Sequence, residues 1–275
     1  MKIKFTVTLI ALFLASVLMA KDKAGVKLGQ LSQIAASTTD MKASVEFWKK
    51  LGFRVVMQMQ SPAPMTQLTD ETILVNLIQS EKPFVRLSYF NSDFEGTLKA
   101  LKKAKIKVEA LENDESGKPW RAIIQSPDGQ EVSIVNRNPA MIFHPTGKTM
   151  LTLDQADMAK PEAMPTKLGM FGEYCHKVTD LKASIAYWEK LGFQSKGAET
   201  NPYPWAIMSD GVSIVGLHQT TDWDGCALTY FAPDMGARIE PLKAQGIECK
   251  EVGMGPANVT VTSPEGVKIF LFSLF

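Results

Sequence analysis

The side chains of this 275-residue sequence best suited to nucleophilic, redox or metal chemistry are three histidines (His144, His176, His218) and three cysteines (Cys175, Cys226, Cys249), all in its second half. An odd number of cysteines cannot pair completely within one chain, so they read as small buried hydrophobes rather than a disulfide framework. Glu173 and Cys175 stand two residues apart, which on a strand puts them on one face, while His176 points to the opposite face as a packed structural histidine. Glu173 with His218 offers a carboxylate and an imidazole that can move protons; as the alternative, they form an ordinary hydrogen-bonded pair or do not meet. In the first half Arg86 is a fixed cation able to grip a carboxylate or phosphate with two parallel hydrogen bonds, or else to pair with Glu131. The sequence has no Gly-rich phosphate loop, nucleophile elbow or Cys-pair zinc motif.

The elements that position these residues occur twice. Thr39 to Phe53 reads TDMKASVEFWKKLGF and Thr179 to Phe193 reads TDLKASIAYWEKLGF, with ten of fifteen positions identical. Leu87-Ser88-Tyr89-Phe90 answers Leu228-Thr229-Tyr230-Phe231, and Ser126-Pro-Asp-Gly129 answers Ser263-Pro-Glu-Gly266. A period near 140 residues is too long for a solenoid and marks a duplicated domain. In each copy apolar residues spaced by four and three (Met41, Val45, Trp48, Leu51; Leu181, Ile185, Trp188, Leu191) line one helix face. Asp40 and Asp180 are placed to cap these helices and Gly52 and Gly192 to end them. Strands are expected before each helix (33–37; 173–177) and after it, with a hairpin turn at Ser209-Asp210-Gly211 inside 205–218. A second strand and helix follow in each half, and a last strand follows each Pro-acid-Gly turn. Residues 138–167, with four prolines and no sustained period, read as a linker packed on the surface.

Composition bounds the rest. With 45% hydrophobic residues the chain can bury a sizeable core, and thirty basic against twenty-nine acidic side chains leave a formal charge of +1. No overall field exists to hold nucleic acid or an anionic membrane. Lys2 and Lys4 precede an apolar run from Phe5 to Met19 that ends at Ala20 before Lys21-Asp22-Lys23. This is the pattern of a cleavable secretory signal over residues 1–20, giving a secreted or periplasmic protein with no membrane contact after cleavage.

A strand opening on a polar residue, an Asp-capped helix with an aromatic pair (Phe47-Trp48; Tyr187-Trp188), Leu-Gly-Phe, and a Pro-acid-Gly turn before the final strand together resemble the vicinal-oxygen-chelate superfamily. That superfamily includes glyoxalase, bleomycin-resistance and extradiol-dioxygenase proteins. The resemblance covers 29–137 and 168–275. It implies an α+β fold of two tandem glyoxalase-like domains, each of paired βαβββ modules curled round a cleft. The positions where enzymes of the superfamily carry metal ligands hold Gln33, Asn76, Arg86 and Ser133 in the first half, and Glu173, Gly216, Ala227 and Phe270 in the second. A divalent ion needs several anionic or imidazole donors, and counting His218 this set supplies two strong ones, so no metal and no other cofactor is expected.

The expected protein is therefore an exported, metal-free binder of a small organic molecule. Gln33, Arg86 and Ser133 would contact ligand in a polar first cleft. Glu173, Cys175, His218 and Phe270 would do so in a second, more aromatic cleft that Phe231 and Phe272 help to line, with Glu173 and His218 as catalytic candidates. Trp120, Tyr203, Trp205 and Trp223 fall in or beside loops that can rim the clefts. The alternative is an enzyme of the same superfamily (lyase, isomerase or dioxygenase) using a divalent metal and an atypical ligand set. An interaction module with filled clefts is a third reading.

Overall fold

In a computed structural model, residues 25–61, 63–253 and 255–274 are described; the expected signal segment lies outside them. The first domain runs β1 (Leu31–Thr38), α1 (Met41–Lys50), β2 (Arg54–Met59), β3 (Met65–Thr69), β4 (Leu74–Gln79), then β5 (Val85–Asn91), α2 (Phe94–Lys103), β6 (Val108–Asn113), β7 (Pro119–Gln125) and β8 (Glu131–Asn136). A short helix α3 (Gln155–Met158) lies in the connection to the second domain. There β9 (Met170–Lys177), α4 (Leu181–Lys190), β10 (Gln194–Glu199), β11 (Trp205–Ser209) and β12 (Ile214–His218) precede β13 (Cys226–Ala232), α5 (Met235–Ala244), β14 (Lys250–Glu251), β15 (Val259–Thr262) and β16 (Lys268–Ser273).

Each domain is thus βαβββ twice, and its strands form one eight-stranded sheet: β2-β3-β4-β1-β5-β8-β7-β6, and β10-β11-β12-β9-β13-β16-β15-β14. The two modules of a domain meet antiparallel at β1 and β5, or at β9 and β13. Strand alternation divides each sheet into two chemistries. Ile34, Ala36, Leu87, Tyr89, Val132 and Ile134 enter the main core on the helix side. Gln33, Ala35, Arg86, Ser88, Phe90 and Ser133, out of phase with them, line a cavity on the other side. In β9 a register shift opposite Thr229 and Tyr230 skips Gly172, where a Cβ would strike the Phe231 ring. This bulge keeps both Phe171 and Tyr174 in the core while Glu173 faces the cleft.

The helices form for the reasons their sequences give. Asp40 accepts from the Ala43 amide and Asp180 from that of Ala183, and Gly52 and Gly192 take positive φ (100° and 84°) at the helix ends. Trp48 and Trp188 are fully buried and pack edge-on to Phe53 and Phe193, with centroids 4.8 and 4.7 Å apart. Burying a ring of this size contributes several kcal/mol, so truncating either to Ala costs about 3–5 kcal/mol.

One continuous core holds Trp48 and Tyr89 of the first domain with Trp188 and Tyr230 of the second. The connection at 138–167 runs over this pair of domains, with Ile142 and Leu153 buried beneath it in small separate clusters. Among the described residues no helix is long and apolar enough to cross a membrane.

Candidate functional site

The second-domain cleft gathers its polar groups from three adjacent strands. Glu173 and Cys175 share one face of β9. Gly216 of β12 pairs with Cys175, and Thr229 of β13 pairs with Glu173. His218, the last residue of β12, reaches over Gly216 so that its Nε2 lies 2.9 Å from Glu173 Oε1. A carboxylate only accepts, so Nε2–H donates, and in the neutral ring Nδ1 is left to accept from the Tyr203 hydroxyl at 3.3 Å. Tyr203, His218 and Glu173 thereby form one hydrogen-bonded chain. Thr229 Oγ1 stands 3.5 Å from the same Glu173 oxygen.

Two further observations define the space around Glu173. Its second oxygen, Oε2, is buried and has no hydrogen-bond partner among the described residues, a condition that ordinarily costs about 1–3 kcal/mol. A Cβ added at Gly216 would lie 1.9 Å from that oxygen and 2.8 Å from His218 Nε2. Glycine at 216 is what leaves room for the carboxylate and imidazole together. Cys175 Sγ is 3.4 Å from the Ala227 carbonyl, to which it donates, and burial followed by the Glu173 charge pushes its thiol well above the ordinary range. Glu173, Cys175 and His218 bring their ligand atoms within 4.8 Å of one another. The expectation of too few donors for a metal therefore needs correcting, since Cys175 joins the two already counted. A carboxylate, a thiol and an imidazole at this spacing fit a divalent ion of borderline softness.

Aromatic side chains wall this centre. The Trp205 ring lies nearly parallel to His218 at 6.5 Å between centroids, and Trp223 approaches the same ring to 5.8 Å. Trp223 also packs edge-on to Phe270, which stacks on Phe272 at 5.5 Å. Phe231 continues this row beside Phe272, with centroids 6.0 Å apart, and also packs against the cluster of Met170, Leu153 and Leu274. His176 faces the core, fully buried between Tyr174 and Trp188, with neither ring nitrogen hydrogen-bonded to another described residue.

In the first domain the corresponding cleft is a cavity of about 90 Å³. Gln33 accepts from Gln67 Nε2 at 2.7 Å, Arg86 donates to Glu131 at 2.9 Å, and Ser133 stands opposite Ser88 on β8 and β5. Arg86 is 6% exposed, and burial lowers its guanidinium from the ordinary value against the opposing pull of Glu131. Asn76 faces this cavity, as its assigned position implied, and Trp120 lines it. Gln67 and Arg137 line it as well; neither stood out in the sequence, where an isolated Gln and an Arg after a strand carry no motif. The alternation of β3 with β4, which sets Gln67 opposite Asn76, was the available signal.

No protein-family profile and no curated protein sequence matches this chain. Solved structures do. A catechol 2,3-dioxygenase aligns over 89% of this chain and 87% of its own length at a TM-score of 0.55 and 14% identity. Homoprotocatechuate 2,3-dioxygenase from Arthrobacter globiformis aligns over 90% of this chain and 80% of its own at 0.58 and 14%. The 2,3-dioxygenase LapB from Pseudomonas sp. KL28 covers 90% and 93% at 0.56 and 9%. At these identities the likeness concerns the fold, and it extends over both domains in their order. The chain has the tandem two-domain fold of the vicinal-oxygen-chelate superfamily, the architecture on which these extradiol dioxygenases are built.

Proposed function

We propose that the second-domain cleft is the catalytic site of an exported enzyme acting on a small, flat organic molecule, with Glu173 handling its proton and Glu173, Cys175 and His218 holding a divalent metal ion. The observation that carries this reading is that Glu173, Cys175 and His218 bring their ligand atoms within 4.8 Å of one another, beside a buried Glu173 oxygen that has no partner among the described residues. Three protein donors are also the complement that leaves a tetrahedral ion open to a fourth ligand. When bound, such an ion would supply Lewis-acid polarisation of a substrate oxygen. The named neighbours are dioxygenases, but one imidazole with a thiol departs from the two-His, one-carboxylate set of oxygen-activating iron. The donor chemistry favours proton transfer of the lyase or isomerase kind over ring cleavage.

The roles of this chain's own residues follow from their contacts. Glu173 accepts a proton from substrate or passes one to it, Tyr203 holds the His218 imidazole through Nδ1, and Nε2, which faces Glu173, is the nitrogen that His218 would give to the ion. Trp205, Trp223 and Phe270 exclude water and offer faces on which a ring can stack. Export is supported by the basic start, apolar run and small residue at Ala20 that residues 1–20 present, the pattern of a secretory leader.

The test is cobalt titration of the purified protein, followed by absorbance and elemental analysis after dialysis. One Co²⁺ per chain with a thiolate-to-cobalt charge-transfer band, the band lost in Cys175→Ser and the ion lost in Glu173→Gln, is the expected result. A chain that retains no ion overturns the metal part and returns the site to a metal-free binder of small molecules.

A further inference from the structure

The two domains use one backbone register for opposite chemistry. Gln33 pairs with Ser88 as Glu173 pairs with Thr229; Ala35 pairs with Arg86 as Cys175 pairs with Ala227; Ser88 pairs with Ser133 as Thr229 pairs with Phe270. At matched positions the first cleft thus exchanges the acid for an amide, and gains a cation and a hydroxyl where the second has Ala227 and Phe270. Its rim carries two more cations, Arg121 and Arg137. Arg86 and Arg121 are matched by Glu131 and Glu112. Arg137 reaches only the Met59 sulfur, at 4.0 Å, and among the described residues it has no carboxylate partner. Three guanidinium groups against two carboxylates leave this cleft with a net positive charge.

The cleft also holds polar atoms that its own walls do not satisfy. Gln67 Oε1 and Asn76 Oδ1 are buried, in residues 1% and 4% exposed, and neither has a partner among the described residues. The hydroxyls of Ser88 and Ser133 make no hydrogen bond to another described residue. Buried polar groups are nearly always paired, so two of them lining one cavity, with two open hydroxyls and an unmatched cation beside them, describe the complement of something small, anionic and hydrogen-bonding. The amide oxygens call for a donor on the ligand, and the guanidinium groups call for a planar anion that accepts two hydrogen bonds.

We infer that the first-domain cleft is a binding site for a small organic carboxylate bearing a hydroxyl or amino donor near its acid group, distinct in ligand class from the second-domain site. Arg137 and Arg86 take the carboxylate, Asn76 and Gln67 accept from the neighbouring donor, and Ser88 and Ser133 complete the floor. Water is the rival occupant, since a polar cavity of about 90 Å³ has room and partners for it.

Met57 and Met65 line the cavity and serve as reporters. The experiment is methyl NMR of [¹³C-methyl]methionine-labelled full-length protein titrated with L-lactate, with the neutral isostere lactamide, with propionate, which lacks the donor, and with inorganic phosphate. Lactate is expected to move the Met57 and Met65 resonances saturably. Lactamide and propionate should each bind about tenfold more weakly, the loss expected for one charge-assisted or one buried hydrogen bond. Arg137→Gln and, separately, Ser88→Ala should weaken lactate binding by a similar factor; neither variant breaks an existing ion pair, so both should fold. Methyl resonances unmoved by any acid would leave water as the occupant and overturn the proposal. So would lactamide binding as well as lactate, or phosphate binding more tightly than either. None of these outcomes depends on the metal titration in the second domain.

Discussion

Tyr230 of the second domain donates its hydroxyl to Asp70 Oδ2 of the first at 2.6 Å, and Tyr89 of the first donates to Asp210 Oδ2 of the second at 2.7 Å. The two contacts are the same contact used twice, because the duplicated domains face each other through equivalent strands and turns. Asp70 spends its other oxygen on the Thr72 and Ile73 amides and the Thr72 hydroxyl, closing its own turn while holding the partner domain.

Removing the Tyr230 hydroxyl leaves Asp70 Oδ2 buried without a donor. Tyr230→Phe is expected to cost about 2 kcal/mol of unfolding free energy at pH 7. Burial already raises the Asp70 carboxyl, while the Tyr230 hydrogen bond works against that rise. The loss therefore falls on the ionised form, and the penalty should shrink as pH drops toward 4. Urea unfolding of both proteins at pH 7 and pH 4 checks this; an equal penalty at both values would contradict it.

His176 supplies the opposite pH dependence. Burial pulls its pKa down to about 3, below the unfolded value near 6.5. The unfolded chain binds a proton first, so the stability His176 contributes is complete above pH 6.5 and drains away as pH falls toward 3, at up to about 1.4 kcal/mol per pH unit. His176→Phe, which keeps a ring between Tyr174 and Trp188, should flatten the acid limb of stability against pH relative to the parent. An unchanged limb would mean the imidazole is not the group responsible.

The acid of each Pro-acid-Gly turn crosses to the other domain. Glu265 accepts from the Trp48 indole at 2.6 Å and from the Ser44 hydroxyl, and Asp128 accepts from the Thr179 amide and hydroxyl and from Ser184. Glu265→Ala should lower stability by about 1–3 kcal/mol and shift Trp48 fluorescence, while Glu265→Gln, which still accepts from the indole, should recover most of both. Equal loss in the two variants would argue against the indole bond as the source.

Gly216 sits where a methyl group would displace the Glu173 carboxylate. Gly216→Ala is expected to cost about 1–3 kcal/mol by overpacking and to abolish the cobalt charge-transfer band. A variant that keeps the band would show that Glu173 is not held as described.

The leader is tested by intact mass. Protein isolated from its native envelope should begin at or near Lys21; retention of Met1 to Ala20 would point to an anchored chain.

Much of the architecture is legible in the linear order of residues because it rests on local or repeated signals. The duplication near 140 residues, the Asp caps, the Trp-bearing helix faces and the turn glycines each act within a few residues, and they suffice to specify four modules in sequence. Strand alternation likewise sets Arg86 and Ser133 on one face and His176 on the other. What tertiary structure decided depends on groups far apart in the chain. The meeting of Glu173 with His218, forty-five residues on, depends on the parallel register of β12 against β9. Cys175 becomes a third donor because Gly216 opposite it leaves the space empty. The Pro-acid-Gly turns read as ordinary strand connections, yet their acids hold the facing domain together. A carboxylate's partners are set by what packs against it, and that is information the spacing of residues along one strand does not contain.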